Sequence, residues 1–326
     1  MLDKTLQRIT RLVGYGKMLD AVLPHVPQPV RTAVRSFHLR REIRRATSQS
    51  QPVVLVYTAP KVASTAVTQA LQAIEGLAVY QVHIINPASV NRLTEEVRRR
   101  GLMPKDKNMV YLANTLYAEL IKTGRRAKII SLVREPVGRN ISYYFEVLDL
   151  LWKSERAHEH VGVDQLVAEF HERFSHDRGI KWFDNEFKPM LGIDVYEHPF
   201  PHDLGFLRID SGPYEVLIMR HDLDDREKEK CLANLIGVPT VSLTPKNVSS
   251  QKAYSAVYRE FLDRINLSDD YVDDLLDSKY ARHFFSAAEI ARVRAKWLGG
   301  GNRDTSAITN SELLEVKSAQ KDYAAG

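Results

Sequence analysis

The chain has 326 residues, 44% hydrophobic and 27% charged, enough to bury a full core and unlike a disordered or fibrous protein. Its single cysteine, Cys231, excludes a disulfide framework and a cysteine-rich zinc site, and no run reaches the roughly 18 apolar residues that a membrane span needs. The net charge of +5 is unevenly placed: ten Lys and Arg against three acids put +7 in residues 1–50, which leaves −2 for residues 51–326.

In chain order, Leu2, Leu6, Ile9 and Val13 come first, at helical spacing with Lys4, Arg8 and Arg11 between them. Such a helix either packs on the main domain or lies on an anionic membrane surface through residues 1–45. Few aromatics and no binding module argue against nucleic acid as a partner. No apolar signal core opens the chain, so a cytoplasmic location is expected, with attachment to the membrane surface as a variant. Thr47 to Gln51 reads as a linker. Beyond it, strands rich in Val, Ile and Leu are predicted at 52–57, 78–84, 127–133, 214–219 and 240–243. Helices are predicted near 62–75, 89–100, 110–122, 136–151, 163–174, 224–236, 253–265 and 287–297. This alternation predicts an α/β fold with a mainly parallel sheet, whose ligand site lies beyond the carboxyl ends of the strands. The expected organisation is a basic helical extension over 1–50, an α/β domain over 51–298 and a loose tail over 299–326.

Two strand-to-helix turns carry chemistry. Residues 53–66 read VVLVYTAPKVASTA, an apolar strand that turns through Pro60 and Lys61 into a helix. Such a turn aims backbone N–H groups and the positive helix end at whatever it holds, Lys61 adds a full charge, and Ser64 and Thr65 add hydroxyl donors. A phosphate or sulfate suits this cradle; an ordinary turn with hydroxyl caps is the alternative. The pattern Gly, four residues, Gly-Lys-Ser/Thr is absent, which disfavours a magnesium-bound triphosphate. Residues 128–145, KIISLVREPVGRNISYYF, repeat the layout, with Pro136 at a first helical position and Arg134 and Ser142 eight apart. Arg grips phosphate bidentately, so two such turns on neighbouring strands imply a ligand with two separated anionic groups.

The stretch Thr58 to Thr65 resembles the 5′-phosphosulfate loop of sulfotransferases that use 3′-phosphoadenosine 5′-phosphosulfate (PAPS), and Arg134 to Ser142 resembles their 3′-phosphate element. YEVLIMRHDLDD at 214–225 is similar to a late strand-and-helix unit of that fold. More closely, KWFDNEF (181–187), GIDVYEHPF (192–200) and SKYARHFFS (278–286) resemble the bacterial family of capsular polysaccharide synthesis proteins. The resemblance implies a P-loop-type, sulfotransferase-like sheet flanked by helices. It implies PAPS bound by Lys61, Val62, Ala63, Ser64, Thr65, Ala66, Arg134 and Ser142, and sulfuryl transfer to a hydroxyl of a glycan or glycolipid in polysaccharide biosynthesis. Ala63 stands where these enzymes commonly have Gly, and Ala66 where cytosolic members have an aromatic. Lys61 is then both cradle and catalyst, stabilising charge on the departing 5′-phosphate.

His83, after the second strand, is the expected general base, as some carbohydrate sulfotransferases have a His at this place. Asp184 and Glu186 are competitors for that role, or else salt-bridge and capping residues. Lys252 is a further candidate for the 3′-phosphate. No metal is expected, and Asp269, Asp270, Asp273, Asp274 and Asp277 read as a solvated helix face. Two other functions stay open: a nucleoside-triphosphate-dependent phosphotransferase, and a non-catalytic polysaccharide-assembly or membrane-surface protein.

Overall fold

The computed structural model describes residues 28–48, 53–99, 107–154, 156–243 and 254–299. Lys252, the stretch 1–27 and the expected tail from residue 300 onward lie outside the described residues. A five-stranded sheet runs in the order β2-β1-β3-β5-β4, with β1 Val53–Tyr57, β2 Ala78–Val82, β3 Ala127–Val133, β4 Phe206–Ser211 and β5 Tyr214–Arg220. β1 pairs in parallel with β2 and β3, β3 pairs in parallel with β5, and β4 is antiparallel to β5.

The helices are α1 Gln28–Ser48, α2 Ser64–Gln72, α3 Pro87–Arg99, α4 Lys107–Leu116, α5 Pro136–Glu146, α6 Leu148–Trp152 and α7 Val163–Glu172. After a wide turn over Phe183–Phe187 follow α8 Lys188–Leu191, α9 Asp225–Ile236, α10 Ser255–Arg264, α11 Asp269–Leu276, α12 Lys279–Phe284 and α13 Ala287–Leu298. Among the described residues no helix is long and apolar enough to cross a membrane.

Every residue of β1 is buried, as expected for a parallel strand covered on both faces. Side chains alternate between two cores. Leu55, Tyr57, Ile129 and Ile218 face Leu39 and Ile43 of α1, together with Trp182, Phe183 and Phe187. Val54, Val56, Ile130, Leu217 and Met219 face Val67 and Leu71 of α2 and Cys231 and Leu232 of α9. The second half of the basic front segment is therefore packed into the sheet domain. A third cluster, with Tyr144, Phe170 and Phe261, joins α5, α7 and α10.

One predicted strand is corrected. Residues 240–243 form no strand; Val241 and Leu243 are buried without a ladder, and the Leu243 N–H donates to Glu229 Oε1 at 2.7 Å. Pro239, which has no N–H to give, precedes the segment. The fifth strand is instead β4, joined to β5 by the two-residue turn Gly212-Pro213, with Gly212 at φ 55°. Its sequence, FLRIDS, is half exposed on an edge, so it lacks the continuous apolar run that marks the central strands.

From β1 the chain crosses to β2 on one side, and from β3 it proceeds to β5 on the other. The crevice beyond the carboxyl ends of β1 and β3 is thus the switch point of the sheet, where ligands of such folds bind.

Candidate functional site

Thr58 carries β1 past its last ladder pair. Its N–H donates to the Val82 carbonyl at 3.3 Å, while its hydroxyl donates to Leu132 O at 3.0 Å and accepts from Leu132 N at 3.2 Å. The strand end is thereby fixed against both neighbours. The chain then turns tightly, with two non-glycine residues in left-handed backbone, Lys61 at φ 67° and Ala63 at φ 63°. Such outliers cluster at ligand-binding turns. No side chain caps α2 at Ala63, whereas α5, α9, α11, α12 and α13 are capped by Glu135, Asp224, Ser268, Ser278 and Ser286.

Lys61 is only 5% exposed. Its Nζ donates to Glu146 Oε2 at 3.3 Å, and its carbonyl accepts from an Arg134 guanidinium N–H at 3.1 Å. The two expected anion-binding turns therefore touch. Arg134, 3% exposed, is also held through its backbone: its N–H donates to the Tyr280 hydroxyl oxygen at 3.0 Å, and the Tyr280 O–H donates to its carbonyl at 2.9 Å. Burial pushes the Tyr280 hydroxyl up to about 12, so it stays protonated in that role.

Val62 is buried in the core beneath the loop, Thr65 and Ala66 are half-buried on α2, and Ser142 is buried on α5. The Ser64 hydroxyl, also buried, accepts from Gln81 Nε2 at 2.8 Å. Glu135 fills the amino end of α5 with its own carboxylate, accepting from the N–H groups of Val137 at 2.8 Å and Gly138 at 2.9 Å and from Trp297 Nε1 at 3.3 Å. An external anion is thus offered the Arg134 side chain rather than the α5 amides.

His83 follows β2 directly. Its Nδ1 lies 2.8 Å from the Thr58 carbonyl, and a carbonyl can only accept, so Nδ1 carries a proton, and in the neutral ring the lone pair is then on Nε2. The His83 carbonyl accepts from Trp182 Nε1 at 2.8 Å. Asp184 is exposed and pairs with Lys279 at 3.6 Å. The buried Glu186 accepts from the Tyr57 hydroxyl at 3.0 Å and from the N–H groups of Ile85 and Asn86, both at 3.2 Å. It braces the segment that carries His83.

The structure brings Lys61, His83 and Arg134 to the carboxyl edge of the sheet, where Glu146 and His221 join them. Glu146 was not among the site residues expected from the sequence. Its position four residues after Ser142 on a predicted helix was the available signal, since residues so spaced share a face. His221 follows β5, and its N–H donates to the Val133 carbonyl at 2.8 Å. Burial, then Arg134, Lys228, Lys296 and Arg220, hold its imidazole well below the usual histidine range. The carboxyl edge of β3 and β5 is accordingly a cationic environment. Among the described residues, no group of three or more His, Cys, Asp or Glu side chains is placed to hold a metal ion.

No curated protein and no solved structure matches the chain. Residues 160–286, about two-fifths of its length, match the model of the family described as "Putative capsular polysaccharide synthesis protein". The matched part holds β4, β5 and the aromatic KWFDNEF turn, while Lys61, His83, Arg134 and Ser142 precede it. This match is consistent with a role in polysaccharide biosynthesis.

Proposed function

We propose that the protein transfers a sulfuryl group from PAPS to a hydroxyl of a glycan or glycolipid. The observation that supports this reading is the contact between the Lys61 carbonyl and the Arg134 guanidinium, which sets the two expected anion-binding turns side by side at the switch point of the sheet. A donor with phosphate groups at both ends of a nucleoside would engage both turns at once. The family match supports the polysaccharide acceptor class.

In this reading the acceptor oxygen attacks sulfur and its proton passes to His83 Nε2. The bond from sulfur to the 5′-phosphate oxygen breaks, and 3′,5′-bisphosphate departs. Lys61, the Ser64 hydroxyl and the uncapped start of α2 stabilise the charge that grows on the leaving oxygen. Removing one such donor is expected to lower kcat by about a hundredfold to a thousandfold.

The test is calorimetric titration with adenosine 3′,5′-bisphosphate, paired with a thermal-shift comparison against ATP and magnesium. Wild-type protein should bind the bisphosphate and melt at a higher temperature in its presence, by about 2.7 kcal/mol of stabilisation at a hundred times the dissociation constant. Lys61→Ala and Arg134→Ala should each lose that binding; unchanged affinity in both variants overturns the site. Stabilisation by magnesium-ATP alone would assign a phosphotransferase instead. His83→Ala should keep bisphosphate affinity and lose turnover, and retained turnover removes His83 as the base.

A further inference from the structure

Helix α1 carries two opposed faces. Leu39, Ile43 and Ala46 are buried in the sheet core and anchor the helix. Phe37, Arg40, Arg41, Arg44 and Arg45 are all exposed, and their spacing of three, four, seven and eight residues places them along one outward stripe. Phe37 is 42% exposed and, with Leu204, is one of two large apolar side chains so open among the described residues. Arg40 and Arg44 reach Glu119 at 3.8 and 2.8 Å, which fixes their stems along the helix surface. Over its whole length α1 has six arginines against the single Glu42, a net of +5.

An open aromatic ring set among guanidinium groups gains nothing in water. At the boundary of an anionic bilayer it gains twice, because the ring leaves water and the arginines meet headgroup phosphates. We infer that the outward stripe of α1 docks on an anionic phospholipid surface, with Phe37 entering the acyl boundary and Arg41 and Arg45 at phosphate level. The sequence ahead of α1 has the same composition, since Leu2, Leu6, Ile9 and Val13 alternate with Lys4, Arg8 and Arg11. An apolar stripe beside a basic one fits lipid; a nucleic-acid backbone would engage only the basic half. The inference does not depend on the identity of the donor in the crevice.

The test is co-sedimentation of the full chain with vesicles of phosphatidylcholine alone and of phosphatidylcholine mixed with phosphatidylglycerol. Binding is expected to the mixed vesicles only, and to weaken with added salt. The double variant Arg41→Glu/Arg45→Glu should lose about tenfold or more in affinity. Phe37→Ser should lose several-fold at high salt, where the apolar part dominates. All three positions are exposed, so circular dichroism and Tm should match wild type and bisphosphate binding should persist in both variants. No binding to mixed vesicles, equal binding to neutral ones, or full binding by the charge-reversed variant overturns the inference. Tighter binding to duplex DNA or RNA than to vesicles would assign the stripe to nucleic acid and overturn it as well.

Discussion

Ala63 and Lys61 hold the loop in a backbone conformation that costs an L-residue roughly 1–2 kcal/mol each. Glycine removes that cost at position 63 while adding about 0.4–1 kcal/mol of chain entropy to the unfolded state. Ala63→Gly is therefore expected to stabilise the protein by about 0.5 kcal/mol, read as a higher midpoint in urea at unchanged slope. At Lys61 the same relief would remove the ammonium group, so strain there is tied to the charge it presents. Glu146 acts on that charge from the other side, 3.3 Å from Lys61 Nζ with a quarter of its own side chain exposed. An anion entering the loop must displace this carboxylate. Glu146→Gln should bind adenosine 3′,5′-bisphosphate about fivefold more tightly, in keeping with up to about 1 kcal/mol for a partly exposed pair. Weaker binding in the titration would show that Glu146 orients Lys61 instead of competing for it.

Among the elements, α2 and α5 start at the two halves of the crevice and differ at their first turns. α5 is closed by Glu135, so Glu135→Ala should cost about 1–2 kcal/mol of stability in chemical denaturation, while the same change leaves α2 untouched. The placement of Lys61 and Arg134 at the carboxyl edge of the sheet was legible in the sequence because each follows an apolar strand run, and burial on both faces makes such runs continuous. β4 was not legible, because an edge strand with one open face needs only part of that pattern. Residues 240–243 carry the burial of a strand without its pairing, and composition cannot separate the two. The pairing of Lys61 with Glu146 spans 85 residues and depends on how α5 is laid across the sheet, which no local spacing reveals.

At the scale of the molecule, among the described residues burial lowers the pKa of five histidines, His38, His158, His176, His221 and His283. Each contributes stability that is fully present above the unfolded value of 6.5 and is lost as pH falls from there through the lower folded value, because the unfolded chain takes up the protons first. Tm should accordingly decline below about pH 6.5, and His221→Gln should flatten that decline. The lone thiol offers a way to follow such opening. Cys231 sits on α9 beneath β5 with its pKa raised by burial, so a thiolate-directed alkylating reagent waits until α9 detaches. The labelling rate is then a clock for that excursion in the unaltered chain, and its slowing by a nucleotide would weigh the ligand without any engineered probe.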